Sequence, residues 1–115
     1  MEKERRVYES EIEKMLVDEV RKAGGRAYKF VSPGNDGVPD RIVIMPGGYL
    51  MFVELKTDTG RLSKLQTVQI NRLKNLGVPV KVAYGYAGLE ELFLILSMSD
   101  AADRARRRAE REAGA

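Results

Sequence analysis

The sequence predicts a mixed α/β domain in which a central sheet is flanked by helices, with core order α-β-β-β-α-β. Three observations predict it. Ile12, Met15, Leu16 and Val20 form a helical stripe that stops at Gly24-Gly25. Two apolar runs, Arg41–Met45 and Tyr49–Leu55, flank the turn signal Pro46-Gly47-Gly48. A second helical stretch then leads into the apolar run Val78–Tyr84.

Each element follows in order. The first helix spans Glu9 to Ala23, and Arg26–Val31 reads as a short strand. Ser32–Pro39 holds two Pro and two Gly and is a loop. In the central hairpin one face carries Ile42, Ile44, Leu50 and Phe52, the other Val43, Met51, Val53 and Leu55. Both faces are apolar, so helices are expected on both sides of the sheet. Thr57–Leu62 is a second loop. Ser63 opens a helix that reaches Leu76, with Gly77 at its C-terminal cap. Pro79 near the start of the next strand is tolerable.

Gly88–Met98 is expected to be a short apolar helix, although Leu92–Leu96 also suits a strand. Residues 1–99 are read as the folded domain and 100–115 as a charged tail of Ala, five Arg and four acids. Pairs such as Asp103–Arg107 and Arg108–Glu112 suit a solvated helix. Arg104, Arg106, Arg107 and Arg108 could alternatively bind phosphates.

At 115 residues the chain is long enough for one core. A net charge of +3 permits a nucleic-acid partner without indicating one. No apolar run approaches the ~20 residues that span a membrane, and the N-terminus lacks a leader-like apolar core. No membrane association and a cytoplasmic location are expected. The sequence contains neither cysteine nor histidine. That excludes zinc fingers, thiol nucleophiles and Ser-His-Asp triads. Hydrolytic chemistry would rest on carboxylates, lysine, hydroxyls and a hard cation such as Mg²⁺ or Mn²⁺.

The hairpin places such groups together. Centred on Gly47, it sets Ile44 against Leu50, Ile42 against Phe52 and Asp40 against Glu54, and alternation puts Lys56 on that same face. Two carboxylates directly opposite each other repel. A cation between them with Lys56 alongside resolves the conflict, so the spacing points to a metal site. The inference depends on register, because a slip of one residue sends Asp40 to the opposite face.

Gly37-Val-Pro-Asp40, Glu54-Leu-Lys56 and Leu62-Ser-x-x-Gln66, behind a glutamate-bearing helix, together resemble the virus-type replication–repair nuclease (VRR-NUC) domain. That family belongs to the PD-(D/E)XK nucleases, and the resemblance covers roughly Glu9 to Tyr84. It implies a restriction-endonuclease-like fold and a metal-dependent DNA endonuclease. By resemblance, Asp40, Glu54 and the Leu55 carbonyl would ligate Mg²⁺ or Mn²⁺. Lys56 would orient the attacking water and stabilise the scissile phosphate, and Gln66 would help position the site. A first-helix glutamate would add an outer ligand. Glu13, on the stripe of Ile12, Leu16 and Val20, is the first choice and Glu9 its rival. Ser10-x-x-Glu13 and Ser63-x-x-Gln66 also read as capping boxes.

Lys29, Arg41, Arg61 and Lys64 are candidate phosphate contacts. Tyr28 and Phe30 are read as packing residues, and Gly34–Gly37 as a mobile rim loop. Similar stand-alone domains act as homodimers on branched DNA, including four-way junctions. Leu89, Leu92, Phe93 and Leu96 either offer a dimer surface or simply complete the core. The alternative function is a DNA-binding module that keeps the nuclease fold without cutting.

Overall fold

The computed structural model describes residues 9–114, apart from the side chains of 100–103. The leader reading of the first residues and the Asp103–Arg107 pair lie outside that range. Helix α1 (Glu9–Lys22) leads into strands β1 (Arg26–Lys29), β2 (Arg41–Ile44) and β3 (Leu50–Lys56). Helix α2 (Lys64–Asn75), strand β4 (Val80–Tyr84) and helix α3 (Gly85–Gly114) complete the chain. The four strands form one mixed sheet in the order β1-β2-β3-β4. Both pairings of β2 are antiparallel, and β4 joins β3 in parallel after the α2 crossover.

The hairpin register is the expected one: Ile42 faces Phe52 and Ile44 faces Leu50. The turn closes through Met45 N–H to Tyr49 O at 2.9 Å, with Gly47 at φ 93° and Gly48 at φ 90°. Those angles strain any residue with a side chain, which is why the turn is built from glycine. Strand β1 is shorter than expected, although Phe30 N–H still donates to Asp40 O at 2.7 Å and extends the pairing.

The core lies on one face of the sheet. Val43, Met51, Val53 and Leu55 pack there against Ile12, Leu16 and Val20 of α1 and Leu89, Leu92 and Leu96 of α3. The opposite face is less fully covered. Ile42, Ile44 and Phe52 are half-buried, Leu50 is exposed, and Ile70 is the buried residue of α2. The helices therefore flank both faces unequally.

One expectation changes and an alternative is resolved at the C-terminal end. The short helix Gly88–Met98 is the first part of one 30-residue helix that continues through the charged segment. At 1.5 Å per residue such a helix is about 45 Å long, consistent with a molecule 64 Å in its longest dimension. Arg106–Glu110 and Arg108–Glu112 pair along it at 3.4 and 3.8 Å. Leu89, Leu92 and Leu96 complete the core and are therefore no dimer surface, while Phe93 packs against it half-buried. Burying them against α1 and the sheet removes their apolar area from water within one chain. Leu94, Ile95 and Met98 are the exposed apolar residues of that stretch.

Candidate active site

Glu54 is the buried charged residue among those described, with 5% of its surface exposed. Strand β3 carries it between the core residues Val53 and Leu55, and its parallel partner on β4 is Val82. The residue preceding β2 is Asp40, which the register sets against Glu54. The two carboxyl groups are close enough for Asp40 to perturb Glu54. Burial pushes the Glu54 carboxyl up to about 7, and the Asp40 charge adds to that rise. Lys56 pulls it back, Glu9 raises it further, and a hydrogen bond from the Asp40 amide lowers it.

Three groups hold the Glu54 side chain. Gln66 Nε2 donates to Glu54 Oε2 at 3.2 Å, Lys56 Nζ lies 3.9 Å from the same oxygen, and the Asp40 amide donates as well. Gln66 reaches it from the first turn of α2. There Ser63 is the N-cap: its Oγ accepts from Gln66 N–H at 3.1 Å, and Gln66 Oε1 accepts from Ser63 N–H at 2.8 Å. Gln66 thus caps α2 and contacts Glu54 at once.

The first-helix glutamates separate. Glu13 Oε1 lies 3.5 Å from Arg41 NH2, while Arg41 NH1 donates to Ala27 O at 3.2 Å. Only 15% of the Arg41 side chain is exposed, so this residue is an internal tie rather than an outward phosphate contact. Glu9 is exposed, and its charge is the one from α1 that reaches Glu54. Ser10 lies inside α1, so it does not cap that helix. Lys29, Arg61 and Lys64 are exposed.

Loop 32–39 is more than a rim connector. Gly37, at φ 91°, lies so close to α2 that a Cβ there would come within 2.6 Å of the Leu65 carbonyl carbon and 2.8 Å of Gln66 N. Gln69 Nε2 donates to Asp36 O at 3.4 Å, a second tie across the same junction. The packing role of Gly37 is not legible in its motif, since nothing local shows which helix it will meet. Phe30 does pack, edge-on against Phe52 with ring centroids 5.4 Å apart. Tyr28 does not, being more than half exposed.

The VRR-NUC domain family matches residues 3–87 of the chain. This protein belongs to the VRR-NUC family. It is 51% identical over 78 residues to the "Putative nuclease p44" of Acyrthosiphon pisum secondary endosymbiont phage 1, covering 68% of this chain and 84% of that one. A solved VRR-NUC domain structure superposes with a TM-score of 0.70 at 27% identity, covering 74% of this chain and 92% of the other. In this VRR-NUC protein, then, Asp40, Glu54 and Lys56 share one sheet face, and Gln66 reaches Glu54 from α2.

The donor set fits a hard divalent cation. It consists of oxygens only, and a carboxylate as buried as Glu54 beside a second one favours a cation that offsets their repulsion. No group of three or more carboxylates converges among the described residues. Mg²⁺ is commonly held by one or two carboxylates, its other positions going to water and substrate phosphate.

Proposed function

We propose that this protein is a metal-dependent DNA endonuclease that hydrolyses phosphodiester bonds, prefers branched DNA such as four-way junctions, and works as a homodimer. The observation that carries the reading is the buried Glu54, held by Gln66, Lys56 and the Asp40 amide beside a second carboxylate. Membership of a nuclease family and the nuclease named among its phage relatives support it.

Asp40, Glu54 and the Leu55 carbonyl would hold Mg²⁺ or Mn²⁺. When bound, such an ion supplies Lewis acidity and a water of lowered pKa. Lys56, beside Glu54, holds the scissile phosphate and orients the attacking water. Gln66 keeps the Glu54 carboxylate turned toward the site. Glu9 serves as the outer carboxylate, supported by its influence on Glu54, whereas Glu13 holds Arg41. Arg61 and Lys64 contact flanking phosphates, a role their exposure permits, whereas Lys29 pairs with Arg41 and so leaves the sheet on the face opposite Asp40 and Glu54. No described helix is long and apolar enough to cross a membrane. The proposed setting is the cytoplasm of a bacterial or phage-infected cell.

Resolving a four-way junction takes two cuts, and a two-fold dimer brings two sites to one substrate. The dimer is expected near 26 kDa by light scattering, twice the 12.9 kDa chain. The deciding experiment compares cleavage of duplex, flap and four-way DNA in Mg²⁺, Mn²⁺ and EDTA. Metal-dependent cutting, fastest on branched DNA and lost in Asp40→Ala and Glu54→Ala, is expected. Cutting undiminished in either variant, or absent with every metal and DNA, would overturn the reading.

A further inference from the structure

Tyr84 is the last residue of β4, an edge strand, and the parallel register pairs it directly with Lys56. Paired residues on neighbouring strands share a face, and strands lie about 4.8 Å apart. The Tyr84 and Lys56 side chains therefore leave the same face of the sheet from neighbouring positions. Yet their surroundings differ: Lys56 is largely covered, with 18% of its side chain exposed, whereas Tyr84 is 40% exposed. The Tyr84 hydroxyl has no hydrogen-bond partner among the described residues.

The backbone under this ring is firmly placed. The ladder to β3 holds it on one side, and α3 begins at the next residue, Gly85. Of the other aromatic groups on this face, Phe30 and Phe52 pack on each other, and Tyr28 sits on the opposite edge strand. Among the described aromatic residues, Tyr84 is the one the register pairs with Lys56. A cation beside an exposed ring matches a single nucleotide, the phosphate meeting the cation and the base meeting the ring. A base can present its face to a protein ring only when it is unstacked, as at a single-stranded end, flap or junction.

We infer that Tyr84 is a substrate-contact residue whose ring stacks on an unpaired nucleobase adjoining the scissile phosphate. This rests on the nuclease reading and adds to it the feature of branched DNA that the site recognises. The chain has no tryptophan, so Tyr84→Trp places a single indole at the position. Its emission is titrated with single-stranded, flap and blunt duplex oligonucleotides in EDTA, where no cleavage is required. Quenching by DNA with unpaired nucleotides but not by blunt duplex is expected. In parallel binding assays Tyr84→Ala should lose about 5- to 100-fold in affinity for flap DNA. Affinity for blunt duplex should hold, and Tyr84→Phe should bind like the natural protein. Emission unchanged by every DNA, equal quenching by blunt duplex, or flap affinity unaltered in Tyr84→Ala would each overturn the inference. Failure of the natural protein to cut in Mg²⁺ would instead count against the nuclease reading, which the EDTA titration does not depend on.

Discussion

Gln66 Nε2 donates to Glu54 Oε2 at 3.2 Å while the oxygen of the same amide accepts from Ser63 N–H at 2.8 Å. The two bonds fix the amide's orientation, since a flipped group would set its oxygen against the carboxylate and its NH₂ against an N–H. One side chain thus ties the start of α2 to the buried carboxylate of β3. Moving the helix cap moves the site.

Gln66→Glu separates these duties. The new carboxylate still caps Ser63 N–H, but it brings a like charge to Glu54 where a donor stood. Cleavage is expected to fall at least about tenfold, as for loss of a partner that orients a metal ligand. Gln66→Ala should lose both duties and also lower the melting temperature, the cap being worth about 1 kcal/mol. Rates and melts of both variants check this. Full activity in Gln66→Glu would remove Gln66 from the site.

The burial of Glu54 sets a pH dependence on metal-free stability. Its folded-state pKa is raised from 4.5 to about 7. Below about pH 4.5 the group is neutral whether folded or unfolded. As pH climbs toward 7 the unfolded chain ionises first, so the native state loses stability, by roughly 3 kcal/mol once the window is crossed. In EDTA, Glu54→Gln should flatten this decline and melt higher than the natural protein above pH 7. Mg²⁺ should reverse most of the loss in the natural protein. Thermal melts from pH 4.5 to 8 test it, and parallel pH profiles for the two proteins would refute it.

Lys56 lies 3.9 Å from Glu54 Oε2 as its partner and is not a donor to a cation. Lys56→Ala is expected to bind Mn²⁺ nearly as tightly as the natural protein but to cleave at least 100-fold more slowly, the scale of a lost acid–base or electrostatic group. Calorimetric titration beside single-turnover rates distinguishes the two effects. Normal rates at saturating metal would sink the assignment.

Gly37 can be compared with Gly34, because both have positive φ but only Gly37 meets α2. Gly34→Ala should cost about 1 kcal/mol for its backbone angle alone. Gly37→Ala bears that cost and also pushes against the backbone of Leu65 and Gln66, adding about 1–3 kcal/mol. By displacing Gln66, Gly37→Ala should also slow cleavage, whereas Gly34→Ala should not. Matching stabilities and rates in the two variants would show that the contact does not seat the helix.

The sequence by itself determined the hairpin and what it aligns. A turn of Pro46-Gly47-Gly48 admits few geometries, and alternation then sets Asp40, Glu54 and Lys56 on one face. Ser63 and Gln66 were legible as a cap because capping is local, within one helical turn. Tertiary structure decided what depends on contacts between distant segments. Glu13 and Glu9 lie on one turn of α1, and only the position of Arg41 on β2 draws Glu13 away. Gly37 read as a loop glycine until α2 packed against it, and Arg41 as a surface cation until the sheet enclosed it. Leu89, Leu92 and Leu96 are apolar whether they face a partner or a core. Burial depends on which surfaces meet once the chain closes, and here they meet α1 and the sheet.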